Sequence, residues 1–289
     1  LAGLGMRDIK RRIKSVNSTK QITKAMELVS SAKLRKARIR LEKSRPYFIS
    51  IRKTVEELVS SAKGVNHVFL NSRDVEKSLY IVITGDRGLA GGYNTNAIKM
   101  ALAQIENKSK ATIIPIGLKS RDFFHKRNYH LSAEYTHISE NPCSSDAKNI
   151  ADLCIDLFNK GEVDEVILIY TEFVSTISHK PRAIKLLPLD IKSEENEKTA
   201  IGEDEFMEFR PSVEGFLNYL VPKFVQSVIY GALIESGTSE QGARRVAMES
   251  ATDNALDMID KLQLQYNRAR QASITQEIAE IVGGAEALK

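Results

Sequence analysis

With 289 residues, 42% of them hydrophobic, the chain has room for one large domain or two modest ones and for a sizeable core. Two cysteines, Cys143 and Cys154, with no C-x-x-C spacing and no His/Cys cluster, count against a disulfide framework or a zinc module. The net charge of +5 is only mildly basic, no apolar run reaches the ~18–20 residues of a membrane span, and the start is too short for a secretory core, so a cytosolic chain is expected.

Residues 6–45 carry fourteen Lys and Arg against Asp8, Glu27 and Glu42. An apolar stripe of Ile9, Ile13, Val16, Ile22, Met26, Val29, Ala32 and Ala37 runs beneath them, with no Gly or Pro, which predicts a long amphipathic helix. Pro46 is expected to kink it, because proline removes one backbone bond. A second run, 47–61, keeps Ile51, Val55, Leu58 and Val59 on one face.

The pattern then changes. Residues 78–84, 111–117 and 165–174 are apolar, β-branched runs of strand length, and 182–189 reads as an edge strand between prolines. Helices are predicted over 94–106, 118–127 and 144–160, and Ser144-Ser145-Asp146 reads as a helix N-cap. Strands alternating with helices imply a Rossmann-like α/β layer with a mostly parallel sheet. Residues 193–205 form an acidic, solvated loop.

Apolar residues return at helical spacing over 222–282. Pro222 fits a first turn, and Gly283-Gly284 a stop. Ala251, Ala255, Met258 and Leu262 approach a 3.5-residue seam, which asks for a partner helix; Ile9, Ile13 and Val16 at the other end of the chain supply one. The fold class expected is therefore α/β: a long antiparallel two-helix coiled coil of the terminal helices, with the α/β domain inserted. The domains read as 1–65, an N-terminal shaft helix; 66–211, the α/β domain; and 212–289, a C-terminal shaft helix.

Little here points to catalysis. The loop 85–92 follows a strand and precedes a helix, as phosphate loops do, yet it lacks the Lys-Ser/Thr that holds phosphate and magnesium. A tight strand-to-helix turn is the better reading. The five histidines are scattered, with no carboxylate at ligand spacing. The basic helix admits three readings: a solvated face, a nucleic-acid track, or a face turned to an acidic protein surface. Against nucleic acid stand the missing interleaved aromatics and the modest net charge.

Three stretches resemble a known family. They are 18–29 (STKQITKAMELV) with Ala32-Lys33-Leu34, then 84–94 (TGDRGLAGGYN), and finally 250–255 (SATDNA) with 266–278 (YNRARQASITQEI). Together and in order they are similar to the signatures of the gamma subunit of F-type ATP synthases. Gly85 stands where many members have serine, and Ala90 where some have cysteine. The resemblance implies a non-catalytic central shaft that couples proton or sodium flow through a membrane ring to nucleotide chemistry in a surrounding ring of alpha and beta subunits. It further implies contacts with the epsilon subunit and the membrane c-type ring, no nucleic acid, no cofactor or small-molecule ligand, and a peripheral place on the cytoplasmic face of the cell membrane. Carried over, it puts Lys20, Lys24, Met26, Arg270, Gln271 and Thr275 against the catalytic ring. The inserted cysteine pair of redox-regulated chloroplast members has no counterpart here, so thiol regulation is not expected. The tip residues Ile274, Ile278, Ala279, Ile281, Val282 and Leu288 are expected to overshoot the N-terminal helix and sit inside a sleeve of other subunits.

Overall fold

The computed structural model describes residues 5–61, 67–71, 73–189 and 213–287. The chain falls into two compact units, one of 1–31 with 244–289 and one of 32–243. Two helices, α1 (Met6–Ser61) and α5 (Val213–Ala287), contribute to both. The expected acidic loop at 193–205 and the end residue Leu288 lie outside the described residues.

The larger unit is built on one sheet. Strands β1 (Ser78–Ile83), β2 (Ala111–Ile116), β3 (His130–Leu131), β4 (Glu165–Phe173) and β5 (His179–Leu187) stand in the order β3-β2-β1-β4-β5. The first four are parallel and β5 closes the edge antiparallel to β4. β1 is the centre because all six of its residues are buried, so neither face nor edge can be given to water.

Alternate residues of that sheet feed two cores. Leu79, Ile81 and Ile83 point with Ile114, Ile116, Val166 and Leu168 toward helix α4 (Ser144–Asn159) and the first part of α5. α4 gives Ala147, Ile150, Ala151, Cys154 and Phe158, and α5 gives Leu217, Val221, Val225 and Ile229, each at helical spacing. Tyr80 and Val82 point the other way, onto Ala101 of α2 (Tyr93–Gln104) and Phe124 of α3 (Leu118–Lys126). The result is a three-layer α/β unit.

Here α1 and α5 run antiparallel. Lys33 of α1 pairs with Glu140 at 3.0 Å, and a Cβ on Gly237 of α5 would stand 2.8 Å from the carbonyl of neighbouring Ser139. Farther along α1, Phe48 packs edge-on to Tyr230 and lies against Gly231. Numbers therefore rise on one helix as they fall on the other.

Four details differ from the sequence expectation. α1 is a single helix through Pro46. α5 begins at Val213, so Pro222 lies inside it, and it passes through Gly283 and Gly284 to Ala287. A helix held by packing on its flank tolerates one missing N–H, and glycine lowers helix stability by only about 1 kcal/mol without ending a helix. The residue capping α4 is Cys143, one position earlier than expected: its N–H donates to the Asp146 carboxylate at 3.1 Å, and its thiol lies 2.8 Å from the same oxygen. Finally, β3 was not foreseen; two residues at a sheet edge leave almost no periodic signal.

Phe158 ends the α4 stripe, fully buried between Phe69 and the guanidinium of Arg73, 4.9 Å above its ring. Phe158→Ala is expected to destabilise the chain by about 3–5 kcal/mol, read as a fall in thermal midpoint. An unchanged midpoint would mean that this core is not where the α/β unit gets its stability.

Candidate functional site: the faces of the paired helices

In the smaller unit the sequence sets up a seam. Steps of four and three from Ile9 reach Ile13, Val16, Lys20, Thr23, Glu27 and Ser30, and none of these residues is exposed. The same steps on α5 reach Met248, Thr252, Ala255, Ile259 and Leu262, all buried, then Tyr266, Ala269 and Ser273, half-buried. A strict seven-residue repeat keeps one stripe of each helix on its partner.

The seam is only partly apolar. Thr252 donates to Thr23 Oγ1 at 2.8 Å, and Thr23 in turn donates to the Lys20 carbonyl at 3.0 Å. Both threonines and Ser30 are buried. The Thr252 hydroxyl also lies 2.8 Å from the Met248 carbonyl, so each threonine keeps an acceptor on its own helix and the contact between them adds a directional preference for this register.

The residues singled out from sequence separate on this frame. Ile9, Ala255 and Leu262 are buried, and Ile13, Val16 and Ala251 are half-buried. Met258 is 53% exposed, and its neighbour Ile259 takes the inward place. The correction is one of phase: the steps 252, 255, 259, 262 follow the repeat, whereas a step of three from Ala255 points Met258 outward. Ile22 and Val29, read as part of the buried stripe of α1, also face outward, Ile22 being 61% exposed, while the polar Thr23 and Ser30 face the seam.

The proposed ring-contact residues lie mostly on the outer surface. Lys24, Arg270, Gln271 and Thr275 are exposed; Lys20, at a position of the seam repeat, and Met26 are half-buried. Lys24 meets Glu27 at 3.0 Å, an i,i+3 pair that leaves its ammonium largely in water and contributes little to stability. The Thr275 hydroxyl donates to the Gln271 carbonyl at 2.9 Å, which turns its polar atom back on the helix and leaves its methyl outward.

Sequence reasoning foresaw the apolar tip beyond Ser273 but missed the apolar content of the surface below it. Ile22, Leu28 and Val29 on α1 are exposed, as are Leu256, Met258 and Leu264 on α5. Past Ser273 every residue through 285 is exposed, including Ile274, Ile278, Val282 and Ile281, the last at 72%. The signal was available: Ile22 and Val29 are seven apart but out of step with Ile9 and Val16. Contiguous apolar side chains in water mark a surface that another protein covers.

The second candidate, the 85–92 loop, belongs to the larger unit. Gly85 donates to Asn94 Oδ1 at 2.8 Å. The Asp86 carboxylate accepts from Leu118 N–H at 3.0 Å, His137 N–H at 3.1 Å and the Ser139 hydroxyl at 2.9 Å, so it locks three segments together. A Cβ on Gly85 would stand 2.7 Å from the carboxylate of Glu240, which α5 brings onto the loop. The crevice beyond the carboxyl ends of β1 and β4, where parallel sheets of this kind take ligands, is therefore filled by the chain's own helix. The space left, about 210 Å³ lined by Asp86, Glu140 and Glu240 with Arg87 and His137 among others, is dominated by carboxylates and ill suited to phosphate. Among the described residues no group of three or more His, Cys, Asp or Glu is arranged to hold a metal. Cys143 is exposed and Cys154 buried, and burial pushes the Cys154 thiol up to about 12, which keeps it protonated and inert.

Comparison with known proteins agrees with the resemblance in the motifs. The family model described as ATP synthase matches residues 5–288. A protein of Alkaliphilus metalliredigens, the ATP synthase gamma chain, is 63% identical over 99% of this chain and 100% of its own length. A sodium-ion-specific ATP synthase gamma chain of Acetobacterium woodii is 50% identical, over 98% of each chain. Among solved structures, a chain of the Euglena gracilis mitochondrial ATP synthase superposes with a TM-score of 0.70 at 24% identity, covering 98% of this chain and 94% of that one, which speaks for the fold.

The phase of the seam is testable with one pair of variants. Ala255→Asp buries a charge and is expected to cost about 3 kcal/mol or more, whereas Met258→Asp is expected to leave the melting temperature within a degree or two. Equal effects from the two would place the repeat out of phase with the geometry above.

Proposed function

Because the chain belongs to the ATP synthase gamma-chain family, we propose that it is the turning central shaft of such a complex. Ion flow through a membrane ring turns it, and its uneven surface drives the surrounding catalytic subunits through successive nucleotide states. In this reading the chain is itself non-catalytic, and nucleotides are bound and converted by the alpha and beta subunits around it. The observation that carries the reading is the exposed apolar surface of the paired helices, running beside Lys24, Gln271 and Thr275 and on through residue 285. Such a surface needs an enclosing partner, and a sleeve that lets it turn must grip by shape and weak apolar contact. Fixed ion pairs would have to break at every step.

The same reading assigns Lys20, Lys24, Met26, Arg270, Gln271 and Thr275 to the contact with that sleeve. Functionally, 1–65 and 212–289 are the shaft and 66–211 the domain that meets the epsilon subunit and the c-type ring. Attachment to the membrane is peripheral, from the cytoplasmic face, through those partners. No helix among the described residues is long and apolar enough to cross a bilayer, which fits that assignment.

Reconstituted complexes test it. Arg270→Ala with Gln271→Ala is expected to lower ATP turnover by about tenfold, a barrier change near 1.4 kcal/mol, without altering the melting of the chain. Removing 277–289 is expected to leave a complex that assembles and turns over with reduced output. Calorimetry on the isolated chain is expected to register no magnesium-dependent ATP binding at micromolar concentration. Full activity in the double variant would remove those two residues from the mechanism, and tight ATP binding would overturn the non-catalytic assignment.

A further inference from the structure

In the larger unit, β4 outruns the strand beside it. β1 pairs with β4 only as far as Ile169, whereas β5 accompanies β4 on its other side to Phe173. Beyond Ile169 no strand among the described residues takes the backbone groups on that side of β4, and one face of α5 takes them instead. Ser236 Oγ accepts the Thr171 N–H at 3.1 Å, and the Ser239 hydroxyl donates to the Thr171 carbonyl at 3.2 Å. The Glu235 carboxyl accepts the N–H of Phe173. Two turns on, Gly242 lies against His179, the cross-strand partner of Phe173; a Cβ there would be 2.7 Å from the imidazole ring. Positions 235, 239 and 242 recur at steps of four and three, so a single helix face clamps the end of the β4–β5 pair.

That clamp gathers ionisable groups from four elements. β4 brings Glu172 and Tyr170, and β5 brings His179 and Arg182, whose guanidinium holds Glu172 at 2.6 Å. α1 brings Arg45 toward Glu235 and Arg52 toward Tyr170. Glu235 thus sits half-buried with a second carboxylate close by.

We propose that this contact between α5 and the end of β4 is a proton-responsive joint, held tighter while the Glu235 carboxyl keeps its proton and looser once it ionises.

Burial first, and then the Glu172 carboxylate, push the Glu235 carboxyl from 4.5 up to about 7, outweighing the Phe173 N–H, Arg45 and Arg182, which favour the ionised form. The closed joint therefore binds a proton that the open joint releases. Its extra tightness is complete below pH 4.5 and is lost as pH rises through about 7. His179 works in the opposite sense. Burial holds its imidazole below the ordinary 6.5, so its contribution is present above that value and is lost as pH falls. Both groups touch one joint, and only a variant at Glu235 separates them.

Amide hydrogen exchange of the full chain reads the joint locally, through the peptide containing Thr171 and Phe173, with each rate corrected for intrinsic exchange at its pH. From pH 6 to pH 8, protection in the wild-type chain is expected to fall by about tenfold, one pKa unit of the Glu235 shift being tenfold. In Glu235→Gln, which keeps the shape and cannot ionise, the fall is expected to vanish, leaving only the opposite change linked to His179, a rise in protection with pH. Glu172→Gln is the second variant, for use if the first does not fold: with the neighbouring carboxylate gone, the wild-type fall is expected to shrink. Protection that does not change between pH 6 and pH 8 in the wild type, or that falls equally in the Gln variants, overturns the proposal.

Discussion

The C-terminal helix α5 has to satisfy two unlike partners with one continuous backbone. Against the α/β unit it lays down an apolar stripe from Leu217 to Ile229, then a run of small and polar residues whose serines serve as strand partners for Thr171. Against α1 in the smaller unit it switches to a seven-residue repeat of Met248, Thr252, Ala255, Ile259 and Leu262. Neither task alone explains the composition of this helix. Its even scatter of apolar residues follows from facing a sheet over one stretch and a single helix over another.

This division of labour has consequences for a part that must turn. A seam of Ala255 and the hydrogen-bonded Thr23–Thr252 pair is thinner and less apolar than a leucine seam. It gains less from burial and takes part of its register from the one hydrogen bond between the two helices. The large apolar side chains that a stronger seam would have used, Ile22, Val29 and Leu264, stand outside and are left for a partner. In the larger unit, the loop at 85–92 gives up its resemblance to a phosphate site for mechanical use: Asp86 ties it to α3 and to the segment at 137–139, and Glu240 of α5 rests on Gly85.

Much of this was legible in the sequence, and the exceptions along the seam share a cause. The four longer strands, the three shorter helices and the two long ones follow from period and β-branching, because those signals extend over many residues. What sequence misjudged there were questions of phase. Met258 and Ile259 are adjacent and both apolar, and only the partner decides which one turns in. Ile22 and Val29 look like core on hydrophobicity, yet Thr23 and Ser30 hold the inward places because the repeat started by Ile9 and Val16 falls on them. The clamp on β4 was invisible for another reason: its residues, Glu235, Ser236 and Ser239, are polar, and nothing in a polar helix residue announces that a strand end far back in the chain will need its hydrogen bond.

The rest of the structure's working depends on α1 and α5 forming one fixed pair across the Thr23–Thr252 contact and moving as a single body. Thr23→Cys with Thr252→Cys, in a background where the exposed Cys143 is Ser, puts a disulfide at that contact. The measurement is ATP-driven rotation and turnover of the reconstituted complex before and after oxidation. If the pair is fixed, closing the bond leaves both rates unchanged. A loss of rotation on oxidation that reductant restores would show that the two helices shift past each other during the cycle, and would contradict a fixed pair.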